Sequence, residues 1–506
     1  MSNKEKATKI SWLTLAFMAF STVWGFGNIT NGFVYFNGPQ VIFSWIFMFV
    51  LYFIPYALMV GELGSAFKNE GGGVSSWLHQ TTNAKLAYYA GWTYWACHIT
   101  YIASKGSGFL KALSWAIFRN AETYDSFPTR YIQLATFCIL LLGCYIASLG
   151  LNPLKKLLTA AGTCTFVMSL LYIVMMFAAP AINPTAEYVH ANLSFSSLIP
   201  NFNVTYFTSL SILVFAVGGC EKISPYVNKV ENPSKGFPKG MIALASMVVV
   251  CAVLGTLAIG FIIPNSQINL VQSLLITYDS YFSFFGLGWM NWILALALAV
   301  GVLAQVTAWV GGPSKGLYQV GLAGNLPPVM QKRNKNNVQM GILFIQGGIV
   351  TLLSIMFVIM PSVQSAYQII SQLTIILYLI MYMLMFASGI YLRYREPNTP
   401  RTFRIPGGRT FGMWIVGGLG FLASLAAFLV SFIPPNQITV GSSTMYILLL
   451  VVGTFIFAGI PFIIHAMAKP SWKRPVDPED AFEPFGWEKN NDSHSAATPS
   501  HSISHE

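Results

Sequence analysis

Two short stretches decide the reading of this chain: Trp24-Gly25-Phe26-Gly27-Asn28 and Val217-Gly218-Gly219-Cys220-Glu221. Each interrupts an apolar run long enough to cross a bilayer. A helix broken inside lipid leaves backbone N–H and C=O groups without partners, which is tolerated only where they face a cavity, a ligand or other protein. Two such breaks at corresponding places in two halves of a chain predict inverted repeats that meet at a midplane binding site, as in secondary transporters.

The composition agrees. The chain has 506 residues, of which 55% are hydrophobic and only 9% charged, against roughly 25% charged in soluble domains. The fold class read from this is an all-α polytopic membrane protein. About twelve spans are expected: 11–36, 40–66, 86–118, 128–149, 153–179, 206–224, 240–263, 286–318, 340–360, 365–392, 412–433 and 444–467. Spans one to five and six to ten form the repeats (about 11–179 and 206–392), with two added helices over 412–467. Residues 1–10 make a short tail. Residues 468–506, rich in Pro, Ser and acidic residues, read as a disordered or loosely docked tail carrying His494, His501 and His505. A short interfacial helix is expected within Asn265–Phe285.

The net charge of +11 follows from topology and implies no nucleic acid. With both termini on the cytoplasmic side of the cell membrane, only Arg119 and Arg130 of the 28 Lys and Arg fall outside. Lys105, Lys111 and Lys222 lie in or at the edge of spans, and the remainder are inside, as the positive-inside rule requires. All six cysteines (Cys97, Cys138, Cys144, Cys164, Cys220, Cys251) fall in apolar segments, which points to packing and gives no disulfide framework or metal spacing. No metal and no cofactor is expected. Gly312-Pro313-Ser314-Lys315-Gly316 fits a hydrolase pattern but ends a membrane helix and lacks its strand–turn–helix context.

At the first break, a helix ending near Trp24 and restarting near Asn28 offers the amides of Gly27, Asn28 and Ile29 to a carboxylate. The carbonyls of Val23 to Gly25 suit an ammonium. At the second, Gly218 and Gly219 free further carbonyls, and Glu221 is an ionisable group at membrane depth, a functional candidate by position. Lys222 is adjacent, but consecutive helical residues do not face each other. His98 and Lys105 share a face of span three, and Lys105 is too deep to snorkel, so it needs a partner such as Glu221, a substrate carboxylate or water. Gln305 and Trp309 on span eight, and Tyr378 and Tyr382 on span ten, are pairs at i and i+4 that line a cavity or pack.

The stretch from Val302 through Gln305, Trp309 and Pro313 to Tyr318 resembles the amino acid–polyamine–organocation superfamily, specifically its bacterial glutamate/GABA antiporter branch. Arg401-Thr402-Phe403-Arg404-Ile405-Pro406-Gly407-Gly408, Glu70-Gly71-Gly72 and Glu231-Asn232-Pro233 fit as well. The similarity covers most of residues 10–467. It implies a leucine-transporter-like fold of 5+5 inverted repeats plus two helices, working by alternating access. The branch carries Glu where this chain has Gln305 and lacks the Trp-Gly-Phe-Gly-Asn break. That break looks more like exchangers that swap an amino acid for its decarboxylated amine. The resemblance therefore implies an amino acid antiporter in which Trp24, Gly25, Gly27, Asn28, Gly218 and Gly219 bind the amino acid backbone. Glu221, Lys105, Gln305, Trp309, Tyr378 and Tyr382 would set selectivity and gating. A proton-coupled symporter with Glu221 or Lys105 as carrier is the alternative. A membrane-embedded amino acid sensor is disfavoured by the short basic loops, and an enzyme by the lack of a convergent nucleophile, base and oxyanion set.

Overall fold

The computed structural model describes residues 9–25, 29–30, 39–67, 73–189, 194–222, 229–264, 272–360, 362–401, 403–435 and 442–474. Gly27, Asn28, Glu70-Gly71-Gly72, Thr402 and the tail from residue 475, with its three histidines, lie outside the described residues.

The described chain is helical, and one helix answers to each expected span. We number them α1 (Trp12–Val23), α2 (Gln40–Ala66), α3 (Ala84–Phe118), α4 (Thr129–Ser148), α5 (Leu151–Ile182), α6 (Val204–Val217), α7 (Pro233–Gly260), α8 (Asn291–Gly321), α9 (Met340–Leu353), α10 (Val363–Arg395), α11 (Phe411–Val430) and α12 (Ser443–Ala466). Among the described residues, nine helices are long and apolar enough to cross a membrane by themselves. Of the rest, α1 and α6 are short because the breaks cut them. The third, α3, is 35 residues long, but its Trp, Tyr, Thr, Ser and Lys side chains dilute its hydropathy. That dilution fits its position, since α3 is buried by α4, α8 and α10. The helices that face outward instead carry bulky apolar side chains such as Phe177, Phe344, Leu352, Phe411 and Phe455, all exposed. A belt of this size is stable only against hydrocarbon.

Side-chain caps set several starts. Ser11 accepts from the Thr14 amide at 3.1 Å, Asn83 from Leu86 at 2.9 Å, Asn203 from Tyr206 at 2.8 Å and Ser362 from Ser365 at 3.0 Å. Each satisfies one of the donors that a helix start leaves free. Inside α2, Phe49–Phe53 form a π turn directly before Pro55. Proline cannot donate to the preceding turn, and the widened turn absorbs the register change ahead of Tyr56.

Several helix contacts come in pairs that a five-helix repeat would relate. The pairs α2·α7 and α3·α8, which a five-helix repeat maps onto themselves, are in contact. So are the related pairs α3·α10 with α5·α8, α4·α8 with α3·α9, and α1·α5 with α6·α10. Close approach depends on glycine: a Cβ at Gly162 of α5 would strike the Phe17 carbonyl of α1, and one at Gly106 of α3 would strike Thr136 of α4.

Some expectations change in detail. Span six ends at Val217, seven residues before the expected 224, because the helix stops at the glycine pair. The helix expected in the 265–285 segment is Ser273–Phe284. Its side chains are mostly buried, and Tyr281 donates to the Ala258 carbonyl at 2.8 Å while Tyr278 donates to Met168 at 2.7 Å. It therefore packs against the middle of α5, at Met168 and Tyr172, and the end of α7. Packing describes Cys97, Cys220 and Cys251, whereas Cys138 and Cys164 are exposed on outer helix faces. The first residues of the C-terminal tail are ordered against the bundle: Pro470–Trp472 form a 3-10 turn, and Gln331 donates to the Trp472 carbonyl at 2.8 Å.

Candidate functional site

The end of α1 lies beside the second break, with the Thr22 hydroxyl 3.5 Å from the Gly219 carbonyl. After Val217 the chain turns through Gly218 and Gly219, the latter at φ +127°, and Cys220–Lys222 form a single tight turn. The turn frees the Gly219 amide, and Tyr56 of α2 takes it: its hydroxyl accepts from Gly219 N at 3.1 Å. The same hydroxyl donates to the Glu221 carboxylate. Tyr378 and Tyr382 of α10 also point at Glu221, each at 3.4 Å. Glu221 is 1% exposed, and this set of phenolic donors is what makes a buried carboxylate tolerable there. The rings are ordered too: Tyr378 and Tyr382 stack at 5.0 Å, and Tyr56 lies 4.8 Å from Tyr382.

A second cluster bridges α3 and α8. Tyr101 and Trp309 stack at 3.1 Å between ring centres with planes 16° apart. The Tyr101 hydroxyl donates to Gln305 Oε1 at 2.9 Å, and the Trp309 indole donates to the Thr22 carbonyl at 3.2 Å, at the end of α1. His98 packs against Trp309 and meets the Tyr378 hydroxyl through Nε2 at 3.3 Å. The pairs Gln305/Trp309 and Tyr378/Tyr382 thus act in one continuous layer with the second break. The Thr22 carbonyl is occupied by Trp309, and the Gly219 carbonyl accepts from the Lys222 amide at 3.1 Å. Fewer backbone acceptors are open than the sequence suggested.

A cavity opens beside this layer, on the side away from Ile10 at the start of α1. Among its lining residues are Trp24 and Gly25 at the end of α1, Lys105 and Lys111 of α3, Gln305 of α8 and Tyr367 of α10. Lys105 is 8% exposed, with its Nζ 4.1 Å from the centre of the Tyr101 ring. The described lining contains two lysines and no carboxylate. Trp24 is buried and packs on Trp45.

At the opposite end, described residues join the two halves. Ile10, just before α1, pairs with Val230 beyond the second break: Ile10 N donates to Lys229 O and Glu231 N donates to Ile10 O, both at 2.8 Å. Nearby, Glu62 of α2 is fully buried between two arginines. Arg393 grips it in a fork at 2.8 and 2.7 Å, Arg401 reaches it at 2.9 Å, and the Ile405 amide donates to it at 2.8 Å. Burial lowers the Arg401 guanidinium from its ordinary value, against the pull of Glu62. The motif around Arg401–Gly408 therefore has a physical task, which is to lock the α10–α11 connection to the end of α2.

The sequence profile of the amino acid permease family matches residues 10–457. The chain belongs to that family. It is 42% identical to the aspartate/glutamate permease AcaP of Lactococcus lactis subsp. cremoris over 66% of this chain and 69% of that one. It is 29% identical to a transporter of Legionella pneumophila over 84% and 90% of the two chains. It is 27% identical to the glutamate/gamma-aminobutyrate antiporter of Lactococcus lactis subsp. lactis over 83% of each. The protein is a multi-pass membrane protein and a secondary amino acid transporter.

Sequence reasoning missed Tyr56, Tyr101, Lys111, Glu62 and Lys222. Lys222 was set aside by the rule that adjacent helical residues do not face each other. Its outcome holds, since Lys222 lies on the Trp309 ring while Glu221 meets tyrosines, but residues 220–222 are not α-helical and their turn gives Lys222 a place of its own. The others lacked a signal: a tyrosine or glutamate in an apolar span shows its task only when its distant partner is placed beside it.

Proposed function

We propose that this permease is an antiporter for a dicarboxylic amino acid, working by alternating access around the paired breaks. The observation that carries the reading is the cavity with Lys105 and Lys111 and no carboxylate in its described lining. Such a wall concentrates anions and repels amines. The relatives named an aspartate/glutamate permease and a glutamate/gamma-aminobutyrate antiporter support the same cargo.

In this reading Trp24 and Gly25, with Gly27 and Asn28, meet the α-carboxylate and ammonium across from Gly218 and Gly219. Gln305, Trp309, Tyr378 and Tyr382 form the layer that must move to let cargo pass, and Glu221 couples that layer to the second break. The backbone bridge between Ile10 and Val230 closes one side while the cavity is open to the other. Both termini face the cytoplasm of a bacterial cell, so the cavity faces outward.

The test is uptake of radiolabelled aspartate and glutamate into proteoliposomes, preloaded or empty. Uptake that requires an internal amino acid establishes exchange, and the most effective internal partner names the counter-substrate. Uptake into empty vesicles driven by an inward proton gradient overturns antiport in favour of symport.

A further inference from the structure

Lys222 is 3% exposed, and its Nζ makes no hydrogen bond to any described residue. It lies 3.2 Å from the centre of the Trp309 ring and 5.2 Å from that of Tyr378. An ammonium carries three donors, and burial removes the water that would satisfy them. The ring face offers a cation–π contact but accepts no conventional hydrogen bond. Glu221 is next in sequence, yet Tyr56, Tyr378 and Tyr382 already point at its carboxylate.

The surroundings of Lys222 form an ordered stack. One face of Trp309 meets Lys222 and the other meets Tyr101, whose far face carries Lys105 at 4.1 Å. A cation therefore sits on each side of one aromatic pair: Lys105 in the cavity, Lys222 behind the rings. The path of Lys222 to this position also depends on the break, because a Cβ at Gly219 would lie 2.5 Å from its Nζ.

We propose that Lys222 is the specificity residue of the occluded site, where its ammonium receives the side-chain carboxylate of a dicarboxylic substrate. The substrate is first drawn to Lys105. When the Tyr101–Trp309 stack parts, its side-chain carboxylate replaces the Trp309 ring as the partner of Lys222, while its backbone groups stay at the breaks. An amide analogue of the same shape lacks the charge that Lys222 requires. This inference rests on the transport reading above and names its substrate-selecting group.

The test is equilibrium binding of labelled aspartate, glutamate, asparagine and glutamine to the purified full-length protein and to Lys222→Met, Lys222→Gln and Lys222→Arg. The parent is expected to bind the two acids. Lys222→Met and Lys222→Gln should lose at least about 100-fold in affinity for them while binding the amides within about threefold of the parent. Lys222→Arg should retain acid binding within about tenfold. The two neutral variants differ in polarity, so if one does not insert the other carries the result. Unchanged acid binding in either neutral variant overturns the proposal. So does a neutral variant that binds glutamate normally but whose exchange no longer responds to a pH gradient, since that makes Lys222 a proton carrier. A parent protein that binds none of the four amino acids overturns the transport reading itself, an outcome distinct from a failure at Lys222.

Discussion

The hydroxyl of Tyr56 caps the amide of Gly219, 163 residues away in sequence, at 3.1 Å, and the same oxygen donates to Glu221. One phenol from the second helix thus completes the break in the sixth. Tyr56→Phe keeps the ring and removes both interactions. A buried donor left without a partner costs about 1–3 kcal/mol. The variant is expected to melt several degrees lower and to exchange substrate at least about tenfold more slowly in proteoliposomes. Parent-like turnover would show that Tyr56 only fills space.

The glycine pair separates two physical requirements. Gly219 sits at φ +127°, where a Cβ would also lie 2.5 Å from Lys222 Nζ and 3.2 Å from the Thr22 carbonyl, whereas Gly218 has φ −71° and a Cβ there would lie 3.2 Å from the Tyr382 hydroxyl and 3.4 Å from the Val214 carbonyl. Gly219→Ala should abolish exchange while still reaching the membrane, and Gly218→Ala should keep measurable activity. Equal loss in both would mean that backbone strain is not the cause.

The Glu62–Arg393–Arg401 cluster predicts a structural phenotype. Removing one charge of a fully buried network leaves the others uncompensated, at about 3–5 kcal/mol. Glu62→Gln is expected to loosen the α10–α11 connection, and limited trypsin digestion should then cut faster than in the parent after Arg393 and Arg401, whose side chains the cluster buries. Resistance equal to the parent would show that the Ile405 contacts suffice.

The backbone bridge between Ile10 and Val230 should open for cargo to leave on that side. Residues paired in such a bridge lie about as far apart as neighbouring strands, about 4.7–4.9 Å, within disulfide reach. The double variant Ile10→Cys, Val230→Cys is expected to lose exchange on oxidation and recover it on reduction, while single variants are unaffected. Full exchange in the cross-linked protein would place the moving part elsewhere.

Periodicity and hydropathy made the twelve spans legible because crossing a bilayer demands long apolar runs whatever they pack against. The third span shows the limit. Its polar side chains on α3 dilute the apolar signal, and only burial by α4, α8 and α10 explains them. The stripes Gln305/Trp309 and Tyr378/Tyr382 were legible as pairs because i and i+4 fix a helical face. That they join Tyr101, His98 and Glu221 in one layer was not.

By itself the sequence determined that this chain spans a membrane about twelve times and that two helices break at Gly25 and at Gly218-Gly219, because glycine pairs within apolar runs leave backbone groups that lipid cannot satisfy. Only the tertiary structure decided what satisfies those groups. Tyr56 reaches Gly219 from α2, Trp309 reaches Thr22 from α8, and Lys222 is turned onto an aromatic face because the chain there has left the helix. These partners lie far apart along the chain, and contact between distant helices is a property of packing that local pattern does not encode.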